Sequence, residues 1–196
     1  MKILREVGIT VLIAVAVFVC LQLTVQSYIV HETCMLPNIE EGEWIMANKV
    51  CYRSSGPQRG DVIIFHPPPP NEGSPQSFIK RVIGLPGETV EIKDGKVFIN
   101  GIPLEEDEYI KERPNYTMPA TEVPENEYFV LGDNRNHSND SHYGWTVPRE
   151  NIIGKAWFTY WPPSKCQVIK HYSYPELNVD DEQEMTVSYS FGVQLE

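Results

Sequence analysis

The feature that most constrains this chain is an uninterrupted apolar run near its N-terminus. Residues 7–25 read VGITVLIAVAVFVCLQLTV, with a single side-chain amide and no charge. This is close to the ~20 residues with which an α-helix crosses a hydrocarbon core of ~30 Å. Lys2 and Arg5 precede the run, and positive charge tends to stay on the cytoplasmic side of a membrane. We therefore predict a cytoplasmic N-terminus at residues 1–6, a transmembrane anchor at residues 7–27 and an extracytoplasmic remainder.

A cleaved secretory signal is the competing interpretation of the same run. The apolar part of such a signal is usually only about 7–15 residues long, and a small-residue cleavage site follows it. The residues after this run are Gln26, Ser27, Tyr28, Ile29 and Val30, with no Ala-x-Ala among them. Both the length and the following residues favour an uncleaved anchor, and hence a single-pass protein of the cell membrane.

Beyond the anchor, the sequence favours strands over helices. The chain has 16 prolines and 13 glycines, and they separate short apolar runs in a way typical of strands joined by turns. Asp94-Gly95 is a strong hairpin signal between two such runs. We expect one β-rich domain at residues 28–163, with a small, acidic and poorly periodic insertion at about 105–127. Residues 164–196 have no clear apolar face, so we expect a loosely ordered tail.

The charge and the cysteines limit the partners of the chain. The net charge of −11 argues against nucleic acid, which needs a basic surface, and against loose adhesion to anionic lipid. Contact with membrane lipid is therefore expected through insertion. The four cysteines, Cys20, Cys34, Cys51 and Cys166, lack the spacing of a metal site. We expect no metal and no cofactor, and the sequence leaves disulfide pairing open.

Three stretches carry residues suited to chemistry. Cys34 lies just after the anchor in HETCMLPN, a poor place for core packing, although free cysteines are usually buried. Lys80 lies in the apolar segment SFIKRVIGL, where a desolvated lysine can act as a general base. A lysine that reaches water from a strand edge is the alternative. Residues 132–144, GDNRNHSNDSHYG, form either a surface turn or a set of groups that orient an amine.

Taken in this order, the stretches resemble the motifs of type I signal peptidases, membrane-anchored Ser/Lys proteases that remove signal peptides from exported proteins. CMLPN at residues 34–38 resembles the family's Ser-Met-x-Pro-Thr, and RGDVIIF at 59–65 is similar to its next motif. KRVIGLPGE at 80–88 resembles Lys-Arg-x-Ile-Gly-Leu-Pro-Gly-Asp, and GDNRNHSNDSH at 132–142 resembles Gly-Asp-Asn-Arg-x-x-Ser-x-Asp-Ser-Arg. The resemblance covers roughly residues 1–163. It implies a signal peptidase-like, mainly β fold of antiparallel sheets with one N-terminal transmembrane helix.

The resemblance also implies a role for individual residues. Cys34 stands at the position of the nucleophilic serine, Lys80 at that of the base, and the Cys34 backbone N–H belongs to the oxyanion hole. Ser138 is expected to orient the lysine amine, and Arg81 to be an ionic partner of Asp140. The remaining expected site residues are Asp133 and Asn134 as supporting groups and Met35 and Pro37 as substrate contacts. This chemistry needs no metal.

Three departures from the family pattern concern catalysis. The nucleophile is Cys34, Glu32 stands where the family has Gly or Ser, and His142 replaces the closing arginine. A thiol of pKa about 8.5 beside an amine of pKa about 10.4 favours a thiolate–ammonium pair, whereas desolvation opposes it. Sulfur is also larger than oxygen, and a misplacement of ~1 Å can cost ~10²-fold in rate.

We therefore predict an active Cys/Lys endopeptidase, whose rate is lowered where its site fits oxygen better than sulfur. Its partners would be exported preproteins whose signal peptides carry small residues at the first and third positions before the cut. A second hypothesis is a catalytically impaired homologue that binds signal peptides without efficient hydrolysis. A serine enzyme with an introduced cysteine is a third. The reactivity of Cys34 toward a thiol probe at neutral pH separates the first two hypotheses.

Overall fold

The computed structural model describes residues 2–69 and 76–177. One helix, α1 (Lys2–Thr24), is followed by strands that are joined by turns and by short 3₁₀ segments. The strands are β1 (Val25–Ile29), β2 (Trp44–Asn48), β3 (Val62–Phe65), β4 (Phe78–Gly84), β5 (Thr89–Lys93), β6 (Lys96–Ile99), β7 (Ile102–Pro103), β8 (Met118–Glu122), β9 (Glu127–Leu131), β10 (Val147–Pro148), β11 (Ile152–Trp161) and β12 (Gln167–Val168).

Helix α1 is long and apolar enough to cross a membrane. Its segment Arg5–Thr24 has a mean hydropathy of 2.5, and none of it is buried against the rest of the chain. The sequence predicts an anchor at residues 7–27, but the helix begins at Lys2 and ends at Thr24. Residues 25–27 belong to β1 instead, because their backbone groups pair antiparallel with β2.

Two antiparallel sheets build the rest of the described chain, which confirms the expected mainly β fold. The larger sheet has the order β1-β2-β11-β3-β4-β9-β10, with β12 added to β11, and the smaller sheet has the order β7-β6-β5-β8. The predicted hairpin joins β5 to β6, with φ of 51° at Asp94 and 71° at Gly95. Positive φ at both central residues is what a two-residue type I′ turn requires.

The apolar side chains form separate clusters on the two sheets. One cluster, which includes Val90, Ile92 and Tyr109, fills the space beside the smaller sheet. Another surrounds Met35 and Ile45 and contains the thiol of Cys34. Strand β4 runs between these regions, so its consecutive residues face different surroundings.

Two segments that the sequence analysis predicts to lie outside the core contribute strands and buried side chains to it. The predicted insertion at 105–127 supplies β8 to the smaller sheet and buries Tyr109, which is 2% exposed. Residues 164–177, predicted to be loosely ordered, add β12 to the larger sheet and bury Tyr174. The tyrosines that these segments bury stand singly among polar residues and produce no regular hydrophobic periodicity. The sequence therefore did not predict their burial. Residues 178–196, the rest of the predicted tail, lie outside the described residues.

Candidate active site

Cys34 and Lys80, 46 residues apart in sequence, meet in the interior of the domain. The Lys80 Nζ atom lies 3.1 Å from the Cys34 Sγ atom and 3.0 Å from the carbonyl oxygen of Ile79. The Sγ atom lies 3.7 Å from the same carbonyl. Cys34 is 2% exposed and Lys80 is 1% exposed. At this separation a proton can pass directly from sulfur to nitrogen.

A tight turn presents Cys34 to the lysine. The Leu36 N–H donates to the carbonyl of Thr33 at 3.2 Å, and the Ile39 N–H donates to the carbonyl of Met35 at 3.0 Å. The side chains of Met35 and Ile39 are buried in the cluster that contains the thiol. Apolar anchoring on both sides of the turn therefore fixes the position of the cysteine.

The start of the 132–144 loop holds this turn from the other side. The Asn134 N–H donates to the carbonyl of Cys34 at 3.0 Å, and the Asn134 side-chain amide donates to the carbonyl of Thr33 at 3.0 Å. The Asn38 amide donates to the carboxylate of Asp133 at 2.8 Å. Asp133, Asn134 and Asn38 thus hold the turn that carries Cys34; the sequence interpretation missed Asn38, and the supporting role of Asp133 and Asn134 in catalysis stays a prediction.

The expected ion pair between Arg81 and Asp140 is wrong, because Arg81 pairs with Asp133. Its Nε and Nη2 atoms donate to the two Asp133 oxygens at 2.8 and 2.7 Å, and its Nη1 atom donates to the Gly60 carbonyl at 2.7 Å. Strand register is the reason. Arg81 lies opposite Leu131 in the ladder between β4 and β9, which brings Asp133, just beyond the end of β9, within reach of the guanidinium.

Asp140 instead organises its own loop. It caps the 3₁₀ segment Ser141–Tyr143, accepts the Gly132 N–H at 2.9 Å and lies 2.6 Å from His142 Nδ1. The imidazole stacks on Tyr116, with ring centroids 4.1 Å apart. His142, which replaces the family's arginine, therefore takes a place beside the carboxylate of Asp140.

Ser138 does not contact the lysine amine in this structure. Its Oγ atom is buried and has no hydrogen-bond partner among the described residues. The hydroxyl lies against Gly132, where an added Cβ would come within 2.3 Å of Ser138 Oγ and 2.5 Å of the Cys34 carbonyl oxygen. Only glycine fits between the serine and the cysteine turn, and the role of Ser138 toward Lys80 stays a prediction.

A cleft opens beside the Cys34–Lys80 pair. Residues of the β1 end, of the segment after it and of β4 line it, among them Val30, Glu32, Phe78 and Ile79. The expected substrate contacts Met35 and Pro37 are not part of its lining. Met35 is completely buried in the core, because the turn that exposes one side of Cys34 directs the next side chain inward. Met35 is therefore corrected to a structural position, whereas Pro37 is exposed and its contact with substrate stays a prediction.

The cleft keeps the thiol of Cys34 protonated at neutral pH. Burial raises the pKa of Cys34, and this effect outweighs the opposing influence of Lys80; the charges of Glu32 and Asp140 raise the pKa further. Burial therefore opposes the thiolate of the thiolate–ammonium pair that free-solution pKa values favour. A neutral thiol must lose its proton at the moment it acts, as a serine does.

A second buried ion pair escaped the sequence interpretation. Arg135 is fully enclosed, and its Nη1 and Nη2 atoms donate to the Glu106 carboxylate at 2.6 and 2.7 Å. Glu106 belongs to the acidic segment that was given no role. Two sequence features indicated such an ion pair: an arginine in the 132–144 loop with no assigned partner, and a segment rich in carboxylates. The sequence does not identify which of these carboxylates is buried.

Known proteins match this chain over most of its length. A family model described as signal peptidase, peptidase S26 matches residues 3–161. The chain is 46% identical to the probable signal peptidase I-1 of Synechocystis over 144 residues, 71% of this chain and 73% of that protein. It is 41% identical to the signal peptidase I of Leptolyngbya laminosa over 168 residues, 83% of this chain and 80% of that protein. It is 44% identical to the chloroplastic thylakoidal processing peptidase 1 of Arabidopsis thaliana over 143 residues, 69% of this chain and 42% of that protein.

Proposed function

This chain belongs to the peptidase S26 family of signal peptidases and is a peptide-bond hydrolase, and from that premise we propose that Cys34 and Lys80 are its catalytic pair. The proposed reaction is removal of N-terminal signal peptides from exported preproteins, with sulfur as the nucleophile. The single observation that carries it is the 3.1 Å separation of Lys80 Nζ and Cys34 Sγ in a buried site that opens into a cleft.

Acylation begins with a proton transfer. Unprotonated Lys80 Nζ takes the proton of the Cys34 thiol while sulfur attacks the carbonyl carbon of the scissile bond. The negative charge that develops on the carbonyl oxygen is stabilised by the Cys34 backbone N–H, the group that the family resemblance assigns to this task. The C–N bond then breaks, and the Lys80 ammonium returns the proton to the leaving amine. A thioester on Cys34 remains.

Deacylation uses the same base. Lys80 Nζ accepts a proton from water, the resulting hydroxide attacks the thioester carbonyl, and the C–S bond breaks. The proton on the ammonium passes to sulfur, which restores the thiol and the unprotonated amine and releases the carboxylate of the signal peptide. Because burial disfavours the thiolate, acylation starts from a neutral thiol, which suits an apolar cleft.

The position of the cleft supports a membrane-borne substrate. Tyr28, which lines it, follows the end of α1 at Thr24 by four residues, a distance of at most ~14 Å along an extended chain. We propose that α1 spans the membrane with Lys2 and Arg5 on the cytoplasmic side. The cleft then faces the extracytoplasmic surface close to the lipid, where a signal peptide leaves the bilayer.

The test is cleavage of a model preprotein in detergent by the parent chain and by Cys34→Ser and Cys34→Ala variants. We expect cleavage after a small residue by the parent and the serine variant, and none by the alanine variant. N-terminal sequencing of the product locates the cut, and circular dichroism checks that each variant is folded. Cleavage at an undiminished rate by the alanine variant excludes Cys34 as the nucleophile.

A binding protein without efficient hydrolysis is the second candidate, and the surroundings of the thiol favour it. Burial and the charge of Glu32 both raise the pKa of Cys34, and a carboxylate next to the oxyanion position opposes the charge that develops there. This candidate predicts that the parent chain binds a synthetic signal peptide but leaves it intact, while Cys34→Ser cleaves it. Cleavage by the parent chain rejects this candidate.

A further inference from the structure

The segment that follows β11 lies across the back of the catalytic pair. We propose that residues 167–177, here called the strap, position Cys34 and Lys80 relative to each other, with Tyr172 as the central positioning residue. The strap lies beyond the last residue, 161, that the family model matches. The inference rests on the proposed function only where it concerns the rate of cleavage.

The first observation concerns Arg81, the neighbour of Lys80 in β4. The Arg81 guanidinium carbon lies 4.9 Å from the centre of the Tyr172 ring and 4.7 Å from that of Tyr109. The Arg81 Nη1 atom also donates to the carbonyl of Lys170 at 3.2 Å. The Tyr109 and Tyr172 rings pack on each other with centroids 4.8 Å apart, so the guanidinium lies beside this ring pair, and the cation–π contacts restrict its orientation.

The second observation concerns the turn that carries Cys34. The Gln167 side-chain amide donates to the carbonyl of Asn38 at 3.0 Å, and Asn38 in turn bonds to Asp133. Ile169 packs against the apolar cluster that contains the Cys34 thiol. One segment thus contacts the surroundings of both members of the pair.

The third observation is how closely the strap approaches the residues just before β3. An added Cβ on Gly60 would lie 2.0 Å from the Tyr172 carbonyl oxygen, so the two backbones meet with no room for a side chain. His171 Nδ1 lies 3.0 Å from the buried carboxylate of Asp61. Tyr174, 6% exposed, bonds through its hydroxyl to that of Tyr109 at 2.7 Å. These contacts fix the strap on both sides of Tyr172.

The contacts form a continuous route to the reacting atoms. Tyr172 holds Arg81, Arg81 holds Asp133, and Asp133 precedes Asn134, whose N–H binds the carbonyl of Cys34. Loss of the Tyr172 ring frees the guanidinium and, through it, the cysteine turn. Because misplacement by ~1 Å can cost ~10²-fold in rate, a modest movement of this turn has a measurable effect.

The experiment compares Tyr172→Ala with Tyr172→Phe in the full chain. Val168→Ala is the matched control, since Val168 lies in the same segment with its side chain 67% exposed. Cleavage of a model preprotein gives kcat and KM. The rate of alkylation of Cys34 by iodoacetamide reports on the site without hydrolysis. It is read from fragment ions of the tryptic peptide 6–49, which distinguish Cys34 from Cys20 in the same peptide. All assays are run below the temperature at which circular dichroism detects unfolding of any variant.

For Tyr172→Ala we expect kcat to fall about 10- to 100-fold, KM to change less than about twofold and alkylation of Cys34 to accelerate. Tyr172→Phe, which keeps the ring, and Val168→Ala should retain parental values. An unchanged kcat and an unchanged alkylation rate in Tyr172→Ala overturn the proposal, as does an equal loss in Tyr172→Phe. If the parent chain does not cleave, the proposed function fails, and the alkylation comparison still decides whether the strap positions Cys34.

Discussion

Lys80 and Arg81 are consecutive residues of β4 and are equally buried, but their charged groups have different sets of partners. Both are 1% exposed, and they point to opposite faces of β4. The Lys80 amine contacts one thiol and one backbone carbonyl, and it lies 5.3 Å from the centre of the Phe78 ring. The Arg81 guanidinium has two carboxylate contacts, two carbonyl contacts and two aromatic rings.

The difference between the two faces shows how one strand serves two purposes. The face of Arg81 satisfies a permanent charge completely, because an arginine remains protonated at any physiological pH. Among the described residues, no carboxylate bonds to the Lys80 amine, which donates to the Cys34 thiol and the Ile79 carbonyl. We infer that the first face keeps the geometry fixed and the second leaves a proton free to move.

The largest effect is expected on the Lys80 face, in the rate of cleavage. Lys80→Met should lower the rate by roughly 10³-fold, since it removes the proposed general base, while the free energy of unfolding should change little because an apolar chain of similar length replaces it. Preprotein cleavage and urea unfolding measure the two quantities. Lys96→Met, at a partly exposed lysine of β6, is the control. A Lys80→Met rate above about a tenth of the parental rate contradicts the assignment.

The next effect is expected on the Arg81 face, in stability. Arg81→Met leaves Asp133 buried without its partner, which should lower the free energy of unfolding by about 3–5 kcal/mol. Adding Asp133→Asn should restore part of this loss, because the orphaned charge is removed. Urea denaturation of the parent, the single variant and the double variant gives the values. If Arg81→Met is no less stable than Lys80→Met, the two faces do not differ in the way described.

The smallest effect is expected from Glu32, at the edge of the Lys80 face. Its charge raises the pKa of Cys34, so Glu32→Gln should lower that pKa and allow alkylation of the thiol at lower pH. The shift should be only about a few tenths of a pH unit, since Glu32 is exposed and solvent screens it.

The pH dependence of Cys34 alkylation, followed by mass spectrometry, measures this shift. Glu41→Gln, at another exposed glutamate, serves as the control. The midpoint should stay above that of an ordinary thiol in both variants, because burial is the larger cause of the raised pKa. A shift toward higher pH in Glu32→Gln contradicts the electrostatic explanation.

The sequence interpretation succeeded where a local pattern was sufficient. The apolar run at residues 7–25, the β-rich character of the domain after it and the Asp94-Gly95 turn were all readable from neighbouring residues. The motif resemblance also singled out Cys34 and Lys80, which the structure brings to 3.1 Å. Their roles in catalysis stay predictions that the cleavage experiments test.

The interpretation failed where a buried polar group had to be matched to a distant partner. It paired Arg81 with Asp140 instead of Asp133, gave no partner to Arg135, and placed Met35 in the substrate cleft. The register between β4 and β9 decides the partner of Arg81. The path of the acidic segment decides the partner of Arg135, and the direction of the turn at Cys34 decides where the Met35 side chain lies. None of these has a periodic signal in the chain.

By itself, then, the sequence determined that the domain is built from strands, which segment can cross a membrane and which two residues are suited to the roles of nucleophile and base. These three features depend on the chemistry of residues adjacent in sequence. Tertiary structure alone decided which partner each buried charge has and that the strap crosses behind the pair. These outcomes depend on contacts between residues as far apart as Arg81 and Lys170, 89 positions along the chain. Such contacts form only when the sheets pack, since desolvation then forces every buried charge to find a partner.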